Sequence, residues 1–73
     1  MESREEHLAW CKKRALAYVE HGDMQNAFAS MCSDLGKHPE TQGHVGVELG
    51  MMMMLNGHLN DEREMRNWIE GFN

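Results

Sequence analysis

Gly43–Leu59 reads GHVGVELGMMMMLNGHL and is the most apolar run of the chain. Val45, Leu49, Met52 and Met53 recur at i, i+4, i+7 and i+8, the spacing of one helix face. This predicts a helix over about His44–Asn56, stopped by Gly57. Gly46 and Gly50 sit four apart on a neighbouring face. The missing side chains there would let another helix approach closely, although each glycine weakens a helix by roughly 1 kcal/mol relative to alanine. Met51 and Met54 carry the apolar surface further round the cylinder. A helix this apolar is expected at the centre of the fold, with the flanking segments as amphipathic covers. Methionine fills irregular gaps but also suits adaptable binding surfaces, so a partly exposed partner groove is the competing reading.

The rest of the chain has the pattern of such covers. Ser3-Arg4-Glu5-Glu6 is a capping box, with Ser3 as N-cap and Glu6 at the third helical position. Met1 and Glu2 are expected to fray. The first helix should run to about His21, with Leu8, Cys11, Ala15, Tyr18 and Val19 as its stripe and Trp10 at the stripe's edge. Gly22 and Asp23 are a helix stop followed directly by an N-cap, which makes a helical hairpin. The second helix is expected over Met24–Leu35, with Met24, Ala27, Phe28, Met31 and Leu35 inward and Gly36 at its end. Pro39 cannot continue a helix and biases His38 to extended geometry, so Pro39–Gly43 reads as a polar connection. Leu59 should tuck back onto the core. Asn60 is the expected cap of a fourth helix, with Met65, Trp68, Ile69 and Phe72 as its stripe. The fold class is therefore all-α, a compact bundle of three to four short helices in a single domain.

At 73 residues, such a core buries only about 60% of the unfolded chain's surface, and stability rests on good helix packing or on a partner. The net charge of −5 leaves no excess of cations to displace counterions from phosphate, which excludes a general nucleic-acid binder. Cys11 and Cys32 fall at apolar helical positions and are expected as buried thiols. Without a signal-peptide pattern, the expected location is a reducing cytoplasm, where disulfides do not persist. The run Gly50–Leu55 is far shorter than the roughly 20 apolar residues that span a bilayer.

The five histidines and two cysteines raise the question of zinc. His7 and Cys11 share a helix face, and Cys32 and His38 lie near one another in sequence. Structural zinc is held by four ligands in closely spaced pairs, and neither cysteine has a cysteine partner, so surface histidines are the better expectation and no cofactor is assigned. A Cys–His enzyme needs a base at the thiol, an oxyanion hole and a concave pocket, for which four short helices leave little room. No glycine-rich loop ends in the lysine that a phosphate cradle requires. What remains is a non-enzymatic binding module. Its candidate partner-binding residues are the aromatic anchors Trp10 and Trp68, the basic turn Lys12, Lys13 and Arg14, and the methionines Met51 and Met54. The basic turn reads equally as a solvated face.

Three segments carry a resemblance: HLAWCKKRALAYVEHGDMQNAFASMCSDLGKHPETQGH (His7–His44), LGMMMMLNGHL (Leu49–Leu59) and MRNWIEGFN (Met65–Asn73). Together they make nearly the whole chain similar to a family of small bacteriophage proteins. In length and in lacking enzymatic motifs, the chain also resembles the kind of small transcription regulator made by a lytic Xanthomonas phage. That kind of protein binds host RNA polymerase at the N-terminal segment of the β′ subunit, inhibits σ-dependent initiation and promotes antitermination. The resemblance thus implies a protein partner in the host bacterial cytoplasm, with no direct contact to nucleic acid or membrane. It assigns no functional residue to a position here. The alternatives are a phage counter-defence protein that inhibits another host factor, and a small self-associating phage structural or assembly protein.

Overall fold

The computed structural model describes residues 3–72, so the expected fraying of Met1 and Glu2 lies outside the described residues. Among the described residues there are four α-helices and no strand: α1 (Arg4–Glu20), α2 (Met24–Leu35), α3 (Val45–Leu55) and α4 (Glu62–Glu70). The all-α bundle expected from the sequence is the fold.

Local chemistry sets the helix ends. Ser3 and Glu6 form the reciprocal capping box: the Glu6 amide donates to Ser3 Oγ at 3.1 Å and the Ser3 amide to Glu6 Oε1 at 3.4 Å. Gly22 turns the chain at φ +75°, a left-handed conformation that costs glycine least. Asp23 then caps α2 by accepting from the Asn26 amide at 3.1 Å. With only three residues, His21 to Asp23, between them, α1 and α2 pack as a hairpin. His44 caps α3, which runs unbroken through Gly46 and Gly50. Asp61, not Asn60, caps α4. Its extended backbone (φ −110°, ψ 161°) holds the carboxylate 2.7 Å from the Glu64 amide, and Asn60 lies one residue too early to reach it.

The connection between α2 and α3 is less polar in practice than its sequence. Thr41 is buried and its hydroxyl donates to the Leu35 carbonyl at 2.6 Å, which satisfies one of the orphan acceptors at the end of α2. His38 is buried beside it.

The core forms between α1, α2 and α4. Leu8, Cys11, Ala15 and Val19 come from α1, Ala27, Met31 and Leu35 from α2, and Met65, Trp68 and Ile69 from α4, closed by Leu59 and Phe72. Tyr18, expected in the stripe of α1, is 39% exposed instead. Met24 and Phe28 are half-buried at the margin. Cys11 and Cys32 are both thiols, the first buried and the second half-buried.

The expectation that fails is the central place of the methionine-rich helix. Val45 is 72% exposed, Leu49 57%, Met52 62% and Leu55 86%, and within α3 only Gly50 is buried. Helix α3 is a flank that meets the rings of Trp68 and Phe72. Its inward face is the glycine face, which lies about 95° round the helix from the centre of the Val45–Leu49–Met52–Met53 face read from the sequence. The reason is steric. Trp68 and Phe72 project from the α4 end of the core, and only a face without side chains can lie against two aromatic rings. No helix among the described residues is long and apolar enough to cross a membrane.

Candidate functional site

The two glycines of α3 face the two aromatics of the chain's last turn in antiparallel order. A Cβ on Gly46 would lie 2.8 Å from Phe72 Cε1, and one on Gly50 would lie 2.5 Å from Trp68 Cε2. The Trp68 indole N–H donates to the Gly46 carbonyl at 3.0 Å, an i−4 acceptor of α3 used a second time. Trp68 is held from behind by Phe28, stacked at 5.0 Å between centroids, and from the side by the edge of Phe72 at 5.1 Å. His44 packs on Phe72 at 4.8 Å. A row of rings from Phe28 to His44 is thereby fixed in place.

Beside these rings a groove of about 540 Å³ lies between α3 and α4. Trp68, Phe72 and Gly46 form its floor, Leu49 and Met53 its α3 wall, and Glu64 and Asn67 its α4 wall, with His44 and His58 at the rim. The lining is mainly apolar and holds one carboxylate and neither lysine nor arginine. Such a surface can seat an apolar side chain and accept a hydrogen bond or a cation at its edge.

The residues expected at a binding surface are distributed over the molecule. Trp68 is in the groove floor, where only 8% of it is exposed. Met51 is on the outer side of α3 and 54% exposed, whereas Met54 is half-buried against the core. The basic turn is divided, because successive helical residues point about 100° apart. Lys12 reaches the C-terminal end of α4, where its ammonium donates to the Glu70 carbonyl at 3.2 Å and the Phe72 carbonyl at 2.6 Å. These are helix-end acceptors with negative partial charge, and α4 has no basic residue of its own in its last turn. Arg14 turns the other way and pairs with Asp34 at 2.9 Å. Lys13 alone points to solvent.

Trp10 belongs to a second cluster, on the α1–α2 side. Its ring is flanked by His7 at 5.5 Å, the Arg14 guanidinium at 4.8 Å and the Lys37 ammonium at 5.4 Å. Asp34 is buried, and its carboxylate takes Arg14, Lys37 at 3.1 Å and the Ser30 hydroxyl at 3.3 Å. His7 donates from Nε2 to the Asp34 carbonyl at 2.7 Å and lies 5.1 Å from the ring of His38. His7 and His38 are buried, contrary to the expectation of surface histidines, because both rings fill the seam where the connection after α2 crosses α1. Asp34 gathers Arg14, Lys37 and Ser30 on its carboxylate, which makes the cluster a structural tie between α1 and the end of α2.

Among the described residues no three of the His, Cys, Asp and Glu side chains converge to hold a metal ion. Burial pushes the Cys32 thiol up from its ordinary value, which keeps it protonated, the opposite of what a nucleophile requires.

The walls of the groove were hidden from the sequence. Leu49 reads as core, and His44, His58, Glu64 and Asn67 carry no recognisable pattern. The one available signal is the pairing of two spacings: Gly46 and Gly50 four apart, Trp68 and Phe72 four apart. No family model, no curated protein and no solved structure matches the chain.

Proposed function

We propose that this chain is a non-catalytic protein-binding module, specifically a phage-encoded regulator that binds host bacterial RNA polymerase at the N-terminal segment of the β′ subunit. In this role it inhibits σ-dependent initiation and promotes antitermination. The observation that carries the binding part is the exposure of α3: Leu49, Met51, Met52 and Leu55 are each more than half accessible on a chain of only 73 residues. A contiguous apolar helix face beside an apolar groove is the usual mark of a surface that another protein covers. A phage origin is supported by the resemblance of His7–His44, Leu49–Leu59 and Met65–Asn73 to small phage proteins, and the polymerase as partner by the likeness in length and in lacking enzymatic motifs to a small phage transcription regulator. The net charge of −5 favours contact with protein surface over promoter DNA.

The test is co-elution of the purified chain with purified host polymerase on gel filtration, followed by σ-dependent initiation and terminator read-through assays. Stoichiometric co-elution, loss of initiation and increased read-through are expected. Polymerase that elutes separately and transcribes normally would overturn the assignment. The self-associating reading rests on the same exposed face of α3. It replaces the polymerase reading if sedimentation finds a stable symmetric oligomer in which α3 is protected.

A further inference from the structure

We infer that the groove between α3 and α4 takes a cationic amphipathic helix, one of whose large apolar side chains seats between Leu49, Met53, Trp68 and Phe72. The inference rests on the reading of the chain as a protein-binding module and adds the chemistry of what it binds.

Shape supplies the first argument. The groove has a rigid floor, since the Trp68 indole is hydrogen-bonded to the Gly46 carbonyl and stacked on Phe28. It has an adaptable wall, since Met53 and Leu49 are on the outer helix. A fixed aromatic floor beside a methionine wall suits an anchor presented at helical spacing, with methionine adjusting to the side chain that arrives.

Charge supplies the second. The half of the chain that builds the groove, residues 44–72, carries the carboxylates Glu48, Asp61, Glu62, Glu64 and Glu70 against only Arg63 and Arg66. Arg66 is spent on Glu62 at 3.3 Å. Glu64 is in the groove wall itself. An apolar groove with one carboxylate and no lysine or arginine in its lining, on a chain of net charge −5, complements a helix that is apolar on one face and basic on the other, and it disfavours an acidic one.

The same charges argue against a second copy as occupant. Another chain would bring an equally acidic half to the groove. Most of its cations are engaged within their own chain: Lys12 at the end of α4, Arg14 and Lys37 with Asp34, and Arg66 with Glu62. Nucleic acid is disfavoured on the same ground, because the lining has no cation to meet a phosphate.

Isothermal titration of the intact chain tests the inference. The probes are two helical peptides of about 18 residues, roughly 27 Å long, with the same leucine and phenylalanine face, one with lysine and the other with glutamate on its polar face. The lysine peptide is expected to bind one per chain and at least roughly tenfold tighter than the glutamate peptide. The difference should shrink as salt rises from about 0.05 to about 0.5 M, because these charges are exposed and screened. Leu49→Glu should weaken the lysine peptide at least roughly tenfold with unchanged circular dichroism. Glu64→Lys is a second variant, and it should narrow the preference for the lysine peptide at least roughly threefold, because it replaces the one carboxylate of the lining with a cation. Equal binding of the two peptides, no binding of either, or binding indifferent to both variants overturns the inference. Polymerase that still co-elutes with Leu49→Glu while no peptide binds would remove this groove and leave the polymerase reading standing. Peptide binding without polymerase binding would do the reverse.

Discussion

Gly50 and Trp68 claim the same volume: a Cβ added to Gly50 would sit 2.5 Å from both Cε2 and Cζ2 of the indole. Real carbon atoms do not approach so closely, so the indole occupies the room that the glycine's missing side chain leaves. Gly46 and Phe72 repeat the relation one turn away, in the opposite chain direction. This double fit chooses the face that α3 turns inward, and with it which apolar side chains are left in water.

Gly50→Ala tests the fit directly. Alanine would ordinarily stabilise a helix by about 1 kcal/mol over glycine. Here the added methyl must displace an indole that is stacked and hydrogen-bonded, and overpacking of that kind costs about 1–3 kcal/mol. A net loss of roughly 1 kcal/mol in urea denaturation is expected. A variant as stable as the parent would mean that Trp68 shifts freely and that the groove floor is not rigid.

The peripheral place of α3 separates two leucine-sized residues. Leu49→Ala should change stability by less than about 0.5 kcal/mol, as exposed substitutions do. Ile69→Ala, at a fully buried site between α4 and the hairpin, should cost about 2–5 kcal/mol. Equal losses at the two positions, read from denaturation midpoints, would return α3 to the core.

Lys12 ties the end of α4 to α1 through two carbonyls. Lys12→Met keeps much of the apolar stem and removes the ammonium. About 1 kcal/mol should be lost, with faster amide hydrogen exchange confined to the last turn of α4. Exchange unchanged at Ile69 to Phe72 would show that the contact is incidental.

Asp23 is held below the ordinary carboxylate range, first by the Asn26 side-chain amide at 2.6 Å and then by the Asn26 backbone N–H. A carboxylate whose folded pKa is depressed adds stability that is complete above its unfolded pKa and is lost as pH falls through the folded one. Asp23→Asn keeps an N-cap acceptor but cannot titrate. Its stability should therefore fall less than the parent's between about pH 4 and the acid limit. Parallel acid profiles for the two would remove Asp23 as a source of the pH dependence.

Much of this architecture can be read without coordinates. Ser3 with Glu6, Gly22 with Asp23, and Gly57 each act within a few residues of themselves, so they mark helix ends in any tertiary setting. The stripe Met65, Trp68, Ile69 and Phe72 is also legible, because the residues between them are charged or polar apart from Gly71 and leave one apolar face. Helix α3 offers no such contrast. Apart from Glu48 and its glycines it is apolar on every side, so periodicity along it cannot name an inward face. The basic turn Lys12-Lys13-Arg14 fails for a related reason. Adjacency in sequence reads as one patch, while the helix sends the three cations to α4, to solvent and to Asp34.

The sequence by itself determined that this chain is an all-α bundle of three to four short helices, where most of their ends fall, and most of the apolar stripes of α1, α2 and α4, because caps, left-handed glycines and amphipathic spacing are local properties. Only the tertiary structure decided which helix is left outside and where a partner could be received. That outcome depends on a match of volumes between residues far apart in the chain, two rings of α4 and its following residue against two absent side chains of α3, and no local pattern encodes it.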